Sequence, residues 1–344
     1  MKLDFFTEQT ERKWSPSSLS LILDKCQLQF YYRYFLEIKV PDNPFQALGK
    51  FCHTAMHIRE KDGKYKGFWM KDRHFYKSAE SYGKAMGGRF IRGMRQKGNM
   101  VNWEDPSQMF WMKKDIIDIF TAIYVNRGKE DPPKYTEKSF DANFLVAVSG
   151  QEKLYRTTGV FDELNISKDG PIIIDHKTDK RKPKKGRKKT DRQFTHYAWG
   201  LSTKFLQNHE FASELGISEE DLKKGMEDKF YLLNKINLKF HFMREGELID
   251  VPKRTIESVF DLLIAIDLAD KIYREMKKLE PGERPVPIRG PNCEYCAWYE
   301  ICEKGQVKKE IDLKQFFFQF KGKPKPQIES LVLCDDKGKP LYDL

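Results

Sequence analysis

"GVFDELNISKDGPIIIDHKT", residues 159–178, reads as two runs of strand-forming residues joined by the polar turn "SKDG". Asp162 lies on the first run, Asp175 closes the second, and Lys177 follows two residues later. Successive side chains alternate across a strand, so Asp175 and Lys177 project from one face. Unpaired charge at the ends of buried strands is costly, and two carboxylates with a lysine there need compensation. A divalent cation supplies it: Mg²⁺ prefers oxygen ligands, which Asp162 and Asp175 offer. Phosphodiester hydrolysis uses such a cation to polarise the phosphate and to make hydroxide from water near neutral pH. Lys177 would then position the attacking water or stabilise charge building on the phosphate. The plain alternative is a surface hairpin with ordinary charges, because short motifs recur by chance.

Outward from this hairpin, "YTEKSFDANFLVAV" (135–148) predicts a strand before it. A lysine-rich loop and then a helix over 191–209 follow it, with strand again in "KFYLLNKIN" and "LKFHFMREGELIDV". A long helix starts at Thr255 and is ended by "EPGERP". On the N-terminal side, Ser15 and Pro16 open a helical stretch over 15–38, and a second helix over 45–60 carries His53 and His57. Residues 63–105 are also read as helix, and "QMFWMKKDIIDIFTAIYVN" has clear helical spacing. This order predicts an α/β fold, a mixed central sheet flanked by helices. The expected division is a helical N-terminal region 1–134 with Cys26 and His53, a core 135–286, a cysteine-rich loop 287–304, and a basic tail 305–344, either a short hairpin or loose.

The chain has 344 residues, 40% hydrophobic and 33% charged, with a net charge of +11. That balance favours a polyanionic partner, nucleic acid or an acidic membrane surface. No apolar run is long enough to span a bilayer, and the first residues lack a signal peptide, so a cytoplasmic location and no membrane partner are expected. Six cysteines in a chain this long point to metal or redox chemistry rather than a disulfide scaffold.

The central motif resembles that of the PD-(D/E)XK nucleases, in particular their RecB-like branch. Gly159 and Asp162 match the glycine and aspartate of one strand, and Asp175, Lys177 and Thr178 match Asp-X-Lys-Thr on the next. "GKFCH" supplies Gly49 and His53 for a helical Gly-X-X-X-His, "YTEKSF" supplies Glu137, and "QFTHY" supplies Gln193 and Tyr197 for Gln-X-X-X-Tyr. The resemblance implies a restriction-endonuclease-like core in which His53, Asp162 and Asp175 bind Mg²⁺ or Mn²⁺ together with the backbone carbonyl of His176. It makes Lys177 the catalytic lysine and has Gln193 and Tyr197 contact the DNA backbone or brace the site. Glu137 would orient Lys177 or a bound water, or is simply a polar strand residue. His57, four residues beyond His53, offers the rival reading of two histidines sharing zinc. His196 is read as a helix-face residue.

"CEYCAWYEIC" holds Cys293, Cys296 and Cys302, and the fourth candidate thiolate is Cys26, far upstream. This split resembles the iron–sulfur subgroup of RecB-like nucleases, the CRISPR-associated and AddB-type enzymes, and implies a [4Fe–4S] cluster. Zn²⁺ is the alternative, since thiolates suit both. Cys52 and Cys334 are read as a core and a tail cysteine. Lysines and arginines over 180–192 would grip phosphates without reading sequence, or form a solvated loop. Phe68, Trp69, Phe75 and Tyr76 are candidates for base stacking or for core.

Together these features predict a metal-dependent deoxyribonuclease, an exonuclease on DNA ends or single strands, in recombination, repair or phage DNA processing. The alternatives are a catalytically silent DNA-binding module and a zinc-stabilised RNA-binding protein. No helicase phosphate-binding loop is present, so a helicase or recombination protein acting with it would be a separate chain.

Overall fold

The computed structural model describes residues 8–57, 59–61, 64–66, 78–97, 101, 103, 105, 107–128, 130–148, 151–179, 182, 191–228, 230–289, 293, 296–304, 309–311 and 328–334. Phe68, Trp69, Phe75, Tyr76 and nearly all of the lysine-rich loop lie outside the described residues.

The N-terminal segment begins with a short strand β1 (Glu8–Gln9), followed by α1 (Pro16–Ser20) and α2 (Gln27–Phe30). Ser15 caps α1 in a reciprocal capping box with Ser18, and Pro16 pre-sets the first turn. Wide π-type turns at Leu21–Lys25 and Tyr31–Phe35 interrupt this stretch. Cys26 stands between them with extended backbone, φ −136° and ψ 119°, so it sits at a break in the helix. Next come α3 (Pro44–Met56), a hairpin of β2 (Arg59–Lys61) and β3 (Lys64–Lys66), α4 (Ala79–Lys97) and α5 (Ser107–Arg127).

Two helix expectations change here. Within 63–105, Lys64–Lys66 is strand and the described helix is Ala79–Lys97, ahead of which Ser78 and Ser81 cap each other's backbone amides. The helix read over 45–60 ends at Met56, because His57 leaves the helical region at ψ 127°.

The main sheet is built from β4 (Tyr135–Val148), β5 (Gln151–Ser167), β6 (Gly170–Lys177), β7 (Asn237–Phe242), β8 (Glu247–Val251) and β11 (Ile328–Cys334), while β9 (Glu283–Pro285) and β10 (Lys309–Ile311) pair with each other in a separate parallel ladder. Among the described residues the main sheet has order β11-β4-β5-β6-β7-β8, with β1 beside β5. β4, β5 and β6 form an antiparallel meander, whereas β6 and β7 are parallel, giving the mixed sheet expected of a restriction-endonuclease-like core. The crossover from β6 to β7 runs through α6 (Arg192–Gln207), α7 (His209–Glu214) and α8 (Glu219–Glu227). The long helix α9 (Ile256–Met276) follows β8, and α10 (Tyr299–Lys304) closes the cysteine-rich segment.

"KFYLLNKIN" is not strand: Tyr231–Lys235 forms a 3₁₀ turn. Leu232 and Leu233 are consecutive and both buried, a pattern a one-sided strand cannot satisfy. Within 305–344, the residues Ile328–Cys334 pair antiparallel with β4 and extend the sheet, with Cys334 opposite Asn143.

Helices cover both faces. On one side α6, α9 and the N-terminal helices pack through Trp14, Phe30, Phe194, Trp199, Leu263 and Ile266. On the other, α3, α4 and α5 share Leu48, Met86, Phe90 and Phe120.

β5 is longer than its neighbours, and this shapes the site. β4 pairs with it from Gln151 to Leu164, but its other edge is shared. β1 and Trp14 take Lys153, Leu154 and Thr157, while β6 takes Glu163 to Ser167. Between them, residues 159–162 open onto a recess lined by Ser15, Lys25, Gly159, Asp162, Gln193 and Tyr197.

Candidate active site

The β5–β6 ladder stops at Glu163↔Ile174, and beyond it the strands part. Asp162 fills the gap: its Oδ2 accepts the main-chain N–H of His176 at 2.8 Å, replacing a ladder bond with a side chain. Its Oδ1 faces His53 Nδ1 of α3 at 3.4 Å. Glu137 reaches the same place from β4. Ligand atoms of His53, Glu137 and Asp162 all lie within 4.8 Å of one another, the one such trio among the described residues. Burial works against the His53 imidazolium, but the Asp162, Asp175 and Glu137 carboxylates overcome it and raise the pKa. A histidine and two carboxylates converging in this way fit a divalent cation.

Asp175 and Lys177, at the carboxyl end of β6, form a second group with α6. The two side chains meet as an ion pair at 2.6 Å, in a geometry that leaves Asp175 Oδ2 without an aligned hydrogen-bond donor. Gln193 bridges them. Its Oε1 accepts from Lys177 Nζ at 2.9 Å, and its Nε2 donates to Asp175 Oδ1 and to the Tyr197 hydroxyl, both at 2.8 Å. Gln193 is aimed by its own helix start, where Asp191 accepts the N–H groups of Gln193 and Phe194. Burial, with repulsion from Asp162, lifts the Asp175 carboxyl to about 7 despite Lys177. Burial also disfavours the Lys177 ammonium, but Asp175 and Asp162 win and its pKa is raised. A buried carboxyl whose pKa is raised and whose Oδ2 is held by the Lys177 ammonium alone fits a cation that would replace its proton.

His53, Asp162, Asp175, Lys177, Gln193 and Tyr197 therefore gather at one place, and Glu137 joins the His53 side rather than the Lys177 side. The His176 ring turns to His241, 3.0 Å between Nδ1 atoms, with its Nε2 3.6 Å from the buried Glu163 Oε2, so that it is the main chain of His176 that meets Asp162. His57 Nδ1 lies 2.7 Å from Thr136 Oγ1 and is outside the converging trio. His196 is fully buried against Phe140. The sequence reading passed over Asp191, Arg127, Glu163 and His241. An acid directly after Asp162 must point to the opposite, buried face of β5, and that doublet was the available signal.

Cys26, Cys293, Cys296 and Cys302 line a single cavity of about 650 Å³ that joins the N-terminal helices to the C-terminal segment. Gln29 Nε2 donates to Cys296 Sγ at 2.8 Å, and Arg284 Nη1 to the Cys302 carbonyl at 2.9 Å. Cys52 is fully buried in α3, and burial raises its thiol pKa.

Among the described residues, no helix is long and apolar enough to cross a membrane. The profile of the PD-(D/E)XK nuclease superfamily matches residues 13–303. No curated protein matches the chain. A solved structure titled "Crystal structure of SSO0001" is similar at 13% identity over 75% of this chain and 95% of that chain, with a TM-score of 0.24, too distant to bear on function.

Proposed function

The chain belongs to the PD-(D/E)XK nuclease superfamily, and from that membership we propose that it is a metal-dependent deoxyribonuclease of the RecB-like branch, an exonuclease acting on DNA ends or single strands. The observation that carries this reading is the pairing of two groups at Asp162: the His53–Glu137–Asp162 trio and the Asp175–Lys177–Gln193 network. His53, Glu137, Asp162 and Asp175 would hold Mg²⁺ or Mn²⁺, which when bound polarises the scissile phosphate and lowers the pKa of water. Lys177, locked by Gln193, holds an ammonium where negative charge develops on the phosphate. Tyr197 fixes the other end of the Gln193 amide, so Lys177 and Asp175 keep their spacing as substrate arrives.

The recess beside residues 159–162 supports a strand rather than a duplex. Its volume is about 960 Å³, room for a few nucleotides, and Lys25, Arg33 and Arg192 stand on its walls with the hydroxyls of Ser15, Ser17 and Ser20. Phosphate contacts of this kind position a strand without reading its sequence. The lysines and arginines over 180–192 leave from the Lys177 end of β6 and would extend the grip.

For the cysteines, a [4Fe–4S] cluster is favoured over Zn²⁺ by the resemblance of their split to the iron–sulfur subgroup, with Cys26 far upstream of Cys293, Cys296 and Cys302, all four lining one cavity. Zn²⁺ on the same thiolates is the alternative, since thiolates suit both.

Digestion of 5′- and 3′-labelled single- and double-stranded DNA with Mg²⁺ or Mn²⁺ tests the activity. Wild-type protein is expected to cleave, while Asp175→Ala and Lys177→Ala bind DNA but cleave at least about a thousandfold more slowly. Undiminished turnover by Asp175→Ala would refute the assignment. Anaerobic purification should give brown protein containing iron and sulfide, with the colour lost on replacing Cys26 or Cys296; stoichiometric zinc without iron would place Zn²⁺ there instead.

A further inference from the structure

Behind the two acidic strands lies a buried chain of hydrogen bonds that the proposed chemistry does not use. Arg127, the last residue of α5, is 1% exposed and meets Glu163 in a bidentate pair, Nη2 to Oε1 at 2.9 Å and Nη1 to Oε2 at 3.2 Å. Its Nη1 also approaches His241 Nδ1 at 3.3 Å, and the same His241 nitrogen lies 3.0 Å from His176 Nδ1. All four side chains are buried.

The direction of these bonds follows from what each group can do. A guanidinium only donates. His241 Nδ1 must therefore offer a lone pair, which puts the proton of the neutral ring on Nε2. For the 3.0 Å contact to be a hydrogen bond, His176 must donate, so its proton sits on Nδ1. The cost is visible: neither His241 Nε2 nor His176 Nε2 has a hydrogen-bond partner among the described residues, and the bare His176 Nε2 lies 3.6 Å from Glu163 Oε2.

His176 is also the residue whose main-chain N–H binds Asp162 Oδ2 at 2.8 Å. A ring that must donate backward to His241 fixes χ1 and χ2 of His176 and so braces the peptide between Asp175 and His176, which the β6–β7 pairing of His176 with His241 also holds. That peptide aims the N–H at Asp162 and leaves Asp162 Oδ1 turned toward His53.

We infer that Arg127 and His241 are positioning residues, a tautomer relay that holds the His176 main chain so that Asp162 and Asp175 stay spaced to share a cation. This rests on the nuclease reading for its consequence, but its core, the tautomer of His176, can be read without any activity.

The experiment combines His241→Phe, which keeps a ring and removes the acceptor, with His241→Asn, whose Oδ1 stands where Nδ1 stood and restores it. In ¹⁵N-labelled wild-type protein, imidazole NMR is expected to find His176 as the Nδ1–H tautomer, retained in His241→Asn and lost in His241→Phe. Mn²⁺ binding by calorimetry should weaken about 10–100-fold in His241→Phe and recover in His241→Asn. Cleavage should follow in kcat, with KM for DNA unchanged. An Nε2–H tautomer in the wild type, or equal Mn²⁺ affinity in His241→Phe and wild type, overturns the relay. So does equal loss in both variants alongside equal loss of thermal stability, which is what a purely structural histidine would give. Should the wild type bind Mn²⁺ but cleave no DNA, the nuclease reading fails while the tautomer and binding results still decide the relay.

Discussion

Glu137 has a backbone φ of +51°, one of two described non-glycine residues in the left-handed region. It falls opposite Asp162, between the pairs Thr136↔Glu163 and Lys138↔Phe161. Such a conformation costs on the order of 1–3 kcal/mol and persists where the surroundings require it. Here it brings the carboxylate to His53 and Asp162. Glycine accepts this φ freely. Glu137→Gly is therefore expected to fold with unchanged or slightly higher thermal stability and to cleave at least about tenfold more slowly. Glu137→Ala, which keeps a Cβ on the strained backbone, should be the less stable of the two. Parallel melting curves and single-turnover rates check both; a Glu137→Gly protein of full activity would return this residue to an ordinary strand position.

The element that sets the geometry is α6, and its seat on the sheet depends on Phe140. A Cβ added to Gly159 on β5, or to Gly200 on α6, would collide with the Phe140 ring. The helix and the strand thus close on one aromatic from opposite sides, and Gln193 is delivered to Asp175 as a result. Gly200→Ala is expected to destabilise the fold by about 1–3 kcal/mol. A smaller residue at 140 should reduce that cost, measured as coupling in a Gly200→Ala/Phe140→Leu cycle by urea denaturation. Simple additivity would mean the helix seats elsewhere. This dependence also marks how far the sequence could be read. Strands β4 to β6 and helix α6 were legible because period-two runs and a clear cap announce them. Asp162, Asp175, Lys177 and Gln193 were legible because their spacing is local. The ladder break that hands Asp162 the His176 amide was not, because it depends on where β6 ends against β5. The Tyr231–Lys235 turn was missed because a short apolar run fits strand and helix equally well. β11 was missed because its partner is β4, some 180 residues away in the chain.

Across the whole molecule, buried histidines set the response to acid. His196 is 1% exposed, and burial lowers its pKa to about 3. In the unfolded chain a histidine titrates near 6.5, so the unfolded state binds the proton first as pH falls. Stability is then full above about pH 6.5 and declines below it, down toward pH 3. Between pH 7 and pH 5 this one residue accounts for a loss of about 2 kcal/mol. In urea denaturation at the two pH values, His196→Phe should lose less stability than wild type by about that amount. An identical decline in the variant would assign the acid sensitivity to other groups. At the opposite rim of the molecule, β11 lies against β4, pairing with Asn143 to Val148. The sequence it covers, "NFLVAV", is uncharged and strand-prone. A bare strand of that composition is adhesive, ready to recruit the same strand of another copy. β11 therefore acts as a seal. A protein ending at residue 327 should keep the site of His53, Asp162 and Asp175 yet grow into oligomers as its concentration rises, and light scattering across a dilution series would measure how much of its solubility was owed to the 17 residues removed, β11 among them.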